Sequence, residues 1–98
     1  MAWTVQFLDD GVRAALETLP YDIRARFARI VDLIQTHGLE RVREPYVKHL
    51  EGPLWEMRAA YVTAAGHRVV VVHVFTKKTQ KTPRREIETA LRRAKEVR

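Results

Sequence analysis

The chain contains no cysteine, and that absence removes disulfide frameworks, thiolate metal sites and thiol nucleophiles together. Long apolar runs are also missing. The strongest, Val69 to Val72, falls far short of the ~20 residues that a membrane-spanning helix needs. The opening MAWTVQFLDD has no basic flank leading into an extended apolar stretch. Neither secretion nor membrane insertion is therefore expected, and the lack of thiols suits a reducing cytoplasm. Glycine and proline number four each, and no repeat, linker or low-complexity segment is found among them. The four histidines, His37, His49, His67 and His73, show no short helical spacing and no converging carboxylates. No metal and no small-molecule cofactor is expected.

What is present fits one core. Ninety-eight residues with 46% hydrophobic content predict a single domain over 1–98. The formal charge of +6 is unevenly spread: Lys77 to Arg98 holds nine Lys or Arg against three Glu, and everything before Lys77 sums to zero. A localised excess of this kind is an electrostatic footprint for a polyanion, nucleic acid first. The plainer reading is a solvated basic helix. The apolar strand RVVVVHVF just before it, Arg68 to Phe75, anchors the cations to a buried element and argues against a loose tail.

The order of elements follows from periodicity. Trp3, Val5 and Phe7 alternate as a strand, and Asp9 or Asp10 caps a helix reaching about Leu19, with Val12, Leu16 and Leu19 as its stripe. After Pro20, Ile23, Phe27, Ile30, Val31 and Ile34 recur at helical spacing up to Gly38. This pair reads as a helical hairpin laid on a sheet. Tyr46 to Leu50 is strand-like, and Glu51-Gly52-Pro53 is a turn. Leu54 to Val62 reads as one extended segment, with Trp55, Met57, Ala59 and Tyr61 on one face and Leu54, Glu56, Arg58, Ala60 and Val62 on the other. Ala65-Gly66 turns the chain again, and Arg68 to Phe75 is apolar on both faces, as a central strand is. Thr82 as cap and Pro83 at the first helical position open a last helix with the stripe Ile87, Ala90, Leu91 and Ala94.

The runs KHLEGPLWEMR (Lys48 to Arg58) and VVVVHVFTKKTQKTPRREIETALRR (Val69 to Arg93) resemble the RelE/HigB-like toxins of type II toxin–antitoxin pairs, in particular the phage-derived HigB-like branch of the RelE/ParE superfamily. Leu54, Glu56, Arg58, His73, Phe75, the stretch Lys77 to Pro83, Glu86, Ile87 and Ala90 carry the resemblance. It implies an α+β, RelE-like fold: an N-terminal helical hairpin packed on a small, mainly antiparallel sheet, with a basic C-terminal helix. It further implies an endoribonuclease that cuts mRNA at the ribosome, inhibits translation and is held inactive by a cognate helix-turn-helix, HigA-like antitoxin. One departure stands out. Relatives usually carry a turn and a second arginine after the WEMR stretch, whereas here Arg58 runs straight into Ala59.

RNA brings its own nucleophile, the 2′-hydroxyl, so cleavage without a metal needs in-line positioning, proton removal and cations fixed around the phosphate. On that chemistry Arg58 is the expected clamp on the scissile phosphate, and an ion pair with Glu56 across one pleat is its competing role. Lys77 and Lys78, at the end of the central strand, are candidates for stabilising the phosphate or moving a proton. Lys48 and Lys81 are expected to follow the flanking backbone, Gln80 to hydrogen-bond a base or phosphate, and Arg68 to join the RNA contacts. Arg84, Arg85, Arg92 and Arg93 are expected to grip structured RNA from the polar face of the last helix. His73 shares a face with Val71 and Phe75 in this reading, and is either a packed, hydrogen-bonded core residue or a general acid or base. Trp55 and Tyr61 offer rings for base stacking, but their face is that of Met57. The alternatives to a nuclease are a non-catalytic, ParE-like toxin acting on DNA gyrase and a degenerate nucleic-acid-binding module.

Overall fold

The computed structural model describes residues 3–42, 47–57, 59–75 and 81–97. Five strands, β1 (Thr4–Phe7), β2 (Lys48–Glu51), β3 (Leu54–Glu56), β4 (Ala60–Ala64) and β5 (Arg68–His73), form one mixed sheet in the order β1-β5-β4-β3-β2. β1 runs parallel to β5, and every other neighbouring pair is antiparallel. Helices α1 (Asp10–Glu17) and α2 (Tyr21–His37) cover one face of this α+β domain, and α3 (Arg84–Ala94) covers the other.

β5 shows why the sheet is covered twice. Val69 and Val71 enter the layer under α1 and α2 with Phe27, Ile30 and Ile34, while Val70 and Val72 enter the layer under α3 with Leu54, Val62 and Ala90. A strand apolar on both sides belongs in the middle of a three-layer stack. Each fully buried valine contributes about 1.5–3 kcal/mol relative to exposure, so this strand alone commits the chain to both helical layers.

The helices start and stop for local reasons. Asp9 caps α1 by accepting the Val12 N–H on its Oδ1 at 2.9 Å. α1 ends at Glu17, a little short of the expected Leu19, because Thr18 and Leu19 close the last turn against Ala15 and Leu16 ahead of Pro20. α2 ends at Gly38, whose φ of 89° is open to glycine and strained for other residues. A Cβ there would collide with the Glu40 carboxylate. That left-handed step folds the 3₁₀ turn Leu39–Arg41 back against α2.

Three expectations are corrected. Leu54 to Val62 is two antiparallel strands: Glu56 pairs with Ala60, Trp55 pairs with Tyr61, and the chain reverses between them, with the Met57 N–H donating to the Ala59 carbonyl at 2.9 Å. Second, the register shifts between Ala60 and Tyr61, which oppose His73 and Val71, so Val72 is an extra residue in β5. This bulge turns His73 toward α3 with Val72 and Phe75, away from Val71, which stays with Val74 in the other layer. Third, Thr82 does not cap α3; Pro83 takes the cap position, and the Thr82 hydroxyl is used elsewhere.

Tyr61 is almost fully enclosed in the α1/α2 layer, so it belongs to the core and offers no face to a base. Burial pushes its phenol up from 10.0 to about 12. A folded-state pKa above the unfolded one means that stability is intact below pH 10 and falls as pH rises through about 12. Chemical denaturation from pH 8 to 12 should show this loss in the parent and a smaller one in Tyr61→Phe.

Candidate functional site

Two carboxylates that face α3 organise one end of the sheet. Glu56, on β3 and 8% exposed, accepts a hydrogen bond from the Thr82 hydroxyl at 2.7 Å. Thr82 is itself 5% exposed, so this is a polar link inside the protein between the arm of the β3–β4 reversal and the entry to α3. Lys48 lies opposite Glu56 in the β2–β3 register and Lys81 adjoins Thr82. Backbone pairing and the Thr82 link thus bring two of the expected RNA-tracking lysines to the same edge.

The second carboxylate, Glu86, lies 3.0 Å from Nε2 of His73. The other ring nitrogen, Nδ1, faces NH1 of Arg93 at 3.1 Å, and the same NH1 donates to the Val72 carbonyl at 3.2 Å. Guanidinium only donates, so Nδ1 must accept and the proton sits on Nε2, which donates to Glu86. Each ring nitrogen already has a partner within the protein. The cluster bridges the end of β5 to two points on α3 separated by about two helical turns. Phe75 packs beside it, with ring centroids 5.4 Å apart.

Together the two links bracket the stretch between His73 and Thr82. Arg58, Lys77, Lys78 and Gln80, which were expected as clamp, phosphate stabilisers and base contact, lie outside the described residues. Of the nearest described residues, Met57 and Ala59 beside Arg58 lie in the α1/α2 layer, whereas Phe75 and Thr82 on either side of the lysines face α3. The β3–β4 reversal and the end of β5 are adjacent, since Ala60 pairs with both Glu56 and His73.

The arginines separate by what they touch. Arg84 binds the Glu51 carboxylate through both terminal nitrogens and reaches Glu88 at 3.4 Å, tying α3 to the end of β2. The hydrogen bond from Arg84 holds the Glu51 carboxyl below its ordinary range, and Glu51 raises Arg84 in return. Arg93 is turned inward to His73 as described. Arg85 and Arg92 are exposed. Arg68 stands at the opposite end of β5 from His73, about 16 Å away at strand spacing, with its Nε donating to the Ala65 carbonyl at 2.9 Å and its NH1 3.5 Å from the Gln6 side chain. The fold does not gather Arg68 with the others.

Sequence reasoning missed the partners of His73 and Glu56. The only available signals were the acid Glu86 one turn into a basic helix and a threonine just before it, and both also read as ordinary capping residues. A cavity of about 290 Å³ opens beside the His73 cluster, between the start of α1 and the end of α3, with Asp9, His73, Arg93 and Glu96 among its walls. Among the described residues, no group of three His, Cys, Asp or Glu side chains gathers to hold a metal ion. No described helix is long and apolar enough to cross a membrane.

The buried Glu56 and the part-buried Glu86 thus tie the small mixed sheet to α3, and one family model matches the chain. The family described as "Phage derived protein Gp49-like (DUF891)" matches residues 14–95. The chain belongs to that phage-derived family, a family of RelE-like, toxin-like proteins. No curated protein matches it.

Proposed function

We propose that this protein is the toxin of a type II toxin–antitoxin pair: a metal-independent endoribonuclease of the RelE-like fold, in its HigB-like branch, that cleaves mRNA on the ribosome. Its work is in the cytoplasm, and a helix-turn-helix, HigA-like antitoxin neutralises it. Membership of a toxin-like family supports the general reading. The observation that carries the nuclease reading is the pair of internal links, Glu56 with Thr82 and His73 with Glu86, which fix the flanks of the two cation-bearing segments at one end of the sheet. Electrostatic catalysis depends on such preorganisation, since donors already held in place need no reorganisation as charge builds on the phosphate.

In this reading Arg58 clamps the scissile phosphate, and Lys77 and Lys78 stabilise the developing charge and deliver or accept a proton. Lys48, Lys81 and Gln80 hold the flanking nucleotides. His73, held by Glu86 and Arg93, fixes the end of β5 beside these cations. Arg85 and Arg92 present charge to RNA from α3, and Arg84 and Arg93 hold the helix in place.

The test is induced expression with mapping of mRNA 5′ ends. Growth arrest with new 5′ ends, relieved when a cognate helix-turn-helix antitoxin is co-expressed, is the expected result. Arrest with intact messages and accumulating DNA damage would transfer the protein to the gyrase-directed class.

A further inference from the structure

A second cationic site lies on the other helical layer. Arg29, Leu33 and His37 recur every four residues along α2, and the Gly38 step folds Arg41 and Val42 back toward them. Together these five residues line a concavity of about 310 Å³. Its floor is apolar, Leu33 and Val42, and its rim carries two guanidiniums and an imidazole. Among the described residues, none of the three rim side chains has a hydrogen bond or ion pair, and neither Asp32 nor Glu40, adjacent in sequence, pairs with them. Arg84 and Arg93 on α3, by contrast, are tied to Glu51 and His73.

The helix dipole accounts for only part of this cluster. His37 and Arg41 sit where α2 ends and a cation is favoured, but Arg29 lies two turns earlier, beyond the last-turn reach of that effect. Three rim groups without partners among the described residues, around one apolar hollow, form an arrangement for an amphipathic anion: a flat apolar face below and oxyanions at the edge. The volume is at the lower end for a ligand site, right for one nucleotide unit and small for a helix face.

We infer that this hollow on α2 binds one nucleotide of single-stranded RNA, with the base against Leu33 and Val42 and the adjoining phosphates on Arg29 and Arg41. The site is remote from the Glu56 and His73 end. The Gly38 end of α2 abuts Trp3, a Cβ on Gly38 lying 3.5 Å from its ring, and Trp3 packs on His67 before the start of β5, whereas His73 closes that strand. It would therefore hold a bound strand well away from the bond to be cut. The inference rests on the nuclease reading for its choice of polyanion, but it is tested by binding and not by cleavage.

The experiment is fluorescence anisotropy of the full chain with a labelled, mixed-sequence single-stranded RNA across a salt series, comparing the parent with the double variant Arg29→Ala, Arg41→Ala. Two lost phosphate contacts should flatten the log–log salt slope by about 1.4 and weaken binding roughly tenfold or more at low salt. Arg24→Ala, on the same helix with its guanidinium 6.0 Å from the Tyr21 ring centroid, should leave the slope near the parent value. Unchanged slope and affinity in the double variant, with an unchanged thermal melt, would overturn the site. So would a parent that binds no RNA, or a double variant that keeps RNA but loses its antitoxin, which would assign the hollow to a protein. If the double variant loses RNA while expression yields no new 5′ ends, the nuclease reading fails and this site stands.

Discussion

Arg58→Ala and Lys77→Ala should each lower RNA cleavage on the order of 10²–10³ while leaving the melting temperature within a few degrees of the parent. The magnitude follows from the charge problem. An unassisted phosphoryl transition state gathers negative charge that water can solvate only by reorganising, whereas a fixed cation meets it at no such cost. Losing one fixed donor of this kind removes about 3–4 kcal/mol of transition-state stabilisation. The effects should be less than additive in the double variant if, as proposed, both cations serve the same phosphate. Single-turnover cleavage of an RNA substrate on purified ribosomes reads the rate directly. Full activity in either variant would remove that residue from the site.

The second large effect separates stability from activity. Leu54 and Thr82 both secure α3 to the sheet, one by packing in a fully enclosed position and the other by a hydrogen bond to a buried carboxylate. Leu54→Ala should cost about 2–5 kcal/mol of stability through lost burial and the cavity left behind. Thr82→Val should cost about 1–3 kcal/mol, because the buried Glu56 side chain then loses a hydrogen-bond donor that water cannot readily replace. Activity should fall in the opposite order. Well below the melting point Leu54→Ala leaves the polar link intact and retains most of its cleavage, but Thr82→Val frees one flank of the lysine-bearing segment and loses roughly 10–100-fold, as small misplacements of catalytic groups do. Urea denaturation and single-turnover rates on the same two variants decide the matter. Equal activity losses would reduce the Glu56 link to a fold contact.

How far the sequence reveals this structure depends on which features alter its periodic pattern. The α2 stripe Phe27, Ile30 and Ile34 and the two-faced run Val69 to Val72 are both legible because burial dictates hydrophobicity directly. The reversal at Met57 to Ala59 is not. Glu56 and Ala60 are an even number of residues apart, so inward and outward positions keep alternating through the turn, and no glycine or proline punctuates it. The β5 bulge is hidden for a related reason: one extra valine in a run of valines shifts the parity of everything after it without changing the composition. That shift took His73 from its expected face and gave it to Glu86 and Arg93. Charge counting, though correct, is likewise blind to pairing. It located an excess after residue 76 and called the rest neutral, although the neutral part holds Arg29 and Arg41 without partners among the described residues, and the excess includes Arg84 and Arg93, which are internally paired.

The parallel pairing of β1 with β5 joins residues such as Thr4 and Arg68 that are far apart along the chain. Contacts of that span form late, after intervening loops have been closed against their entropy. During synthesis the first strand must wait, without its hydrogen-bonding neighbour, until β5 has left the exit tunnel. The nascent polypeptide therefore has no completed sheet until β5 is free to pair with β1 on one side and β4 on the other.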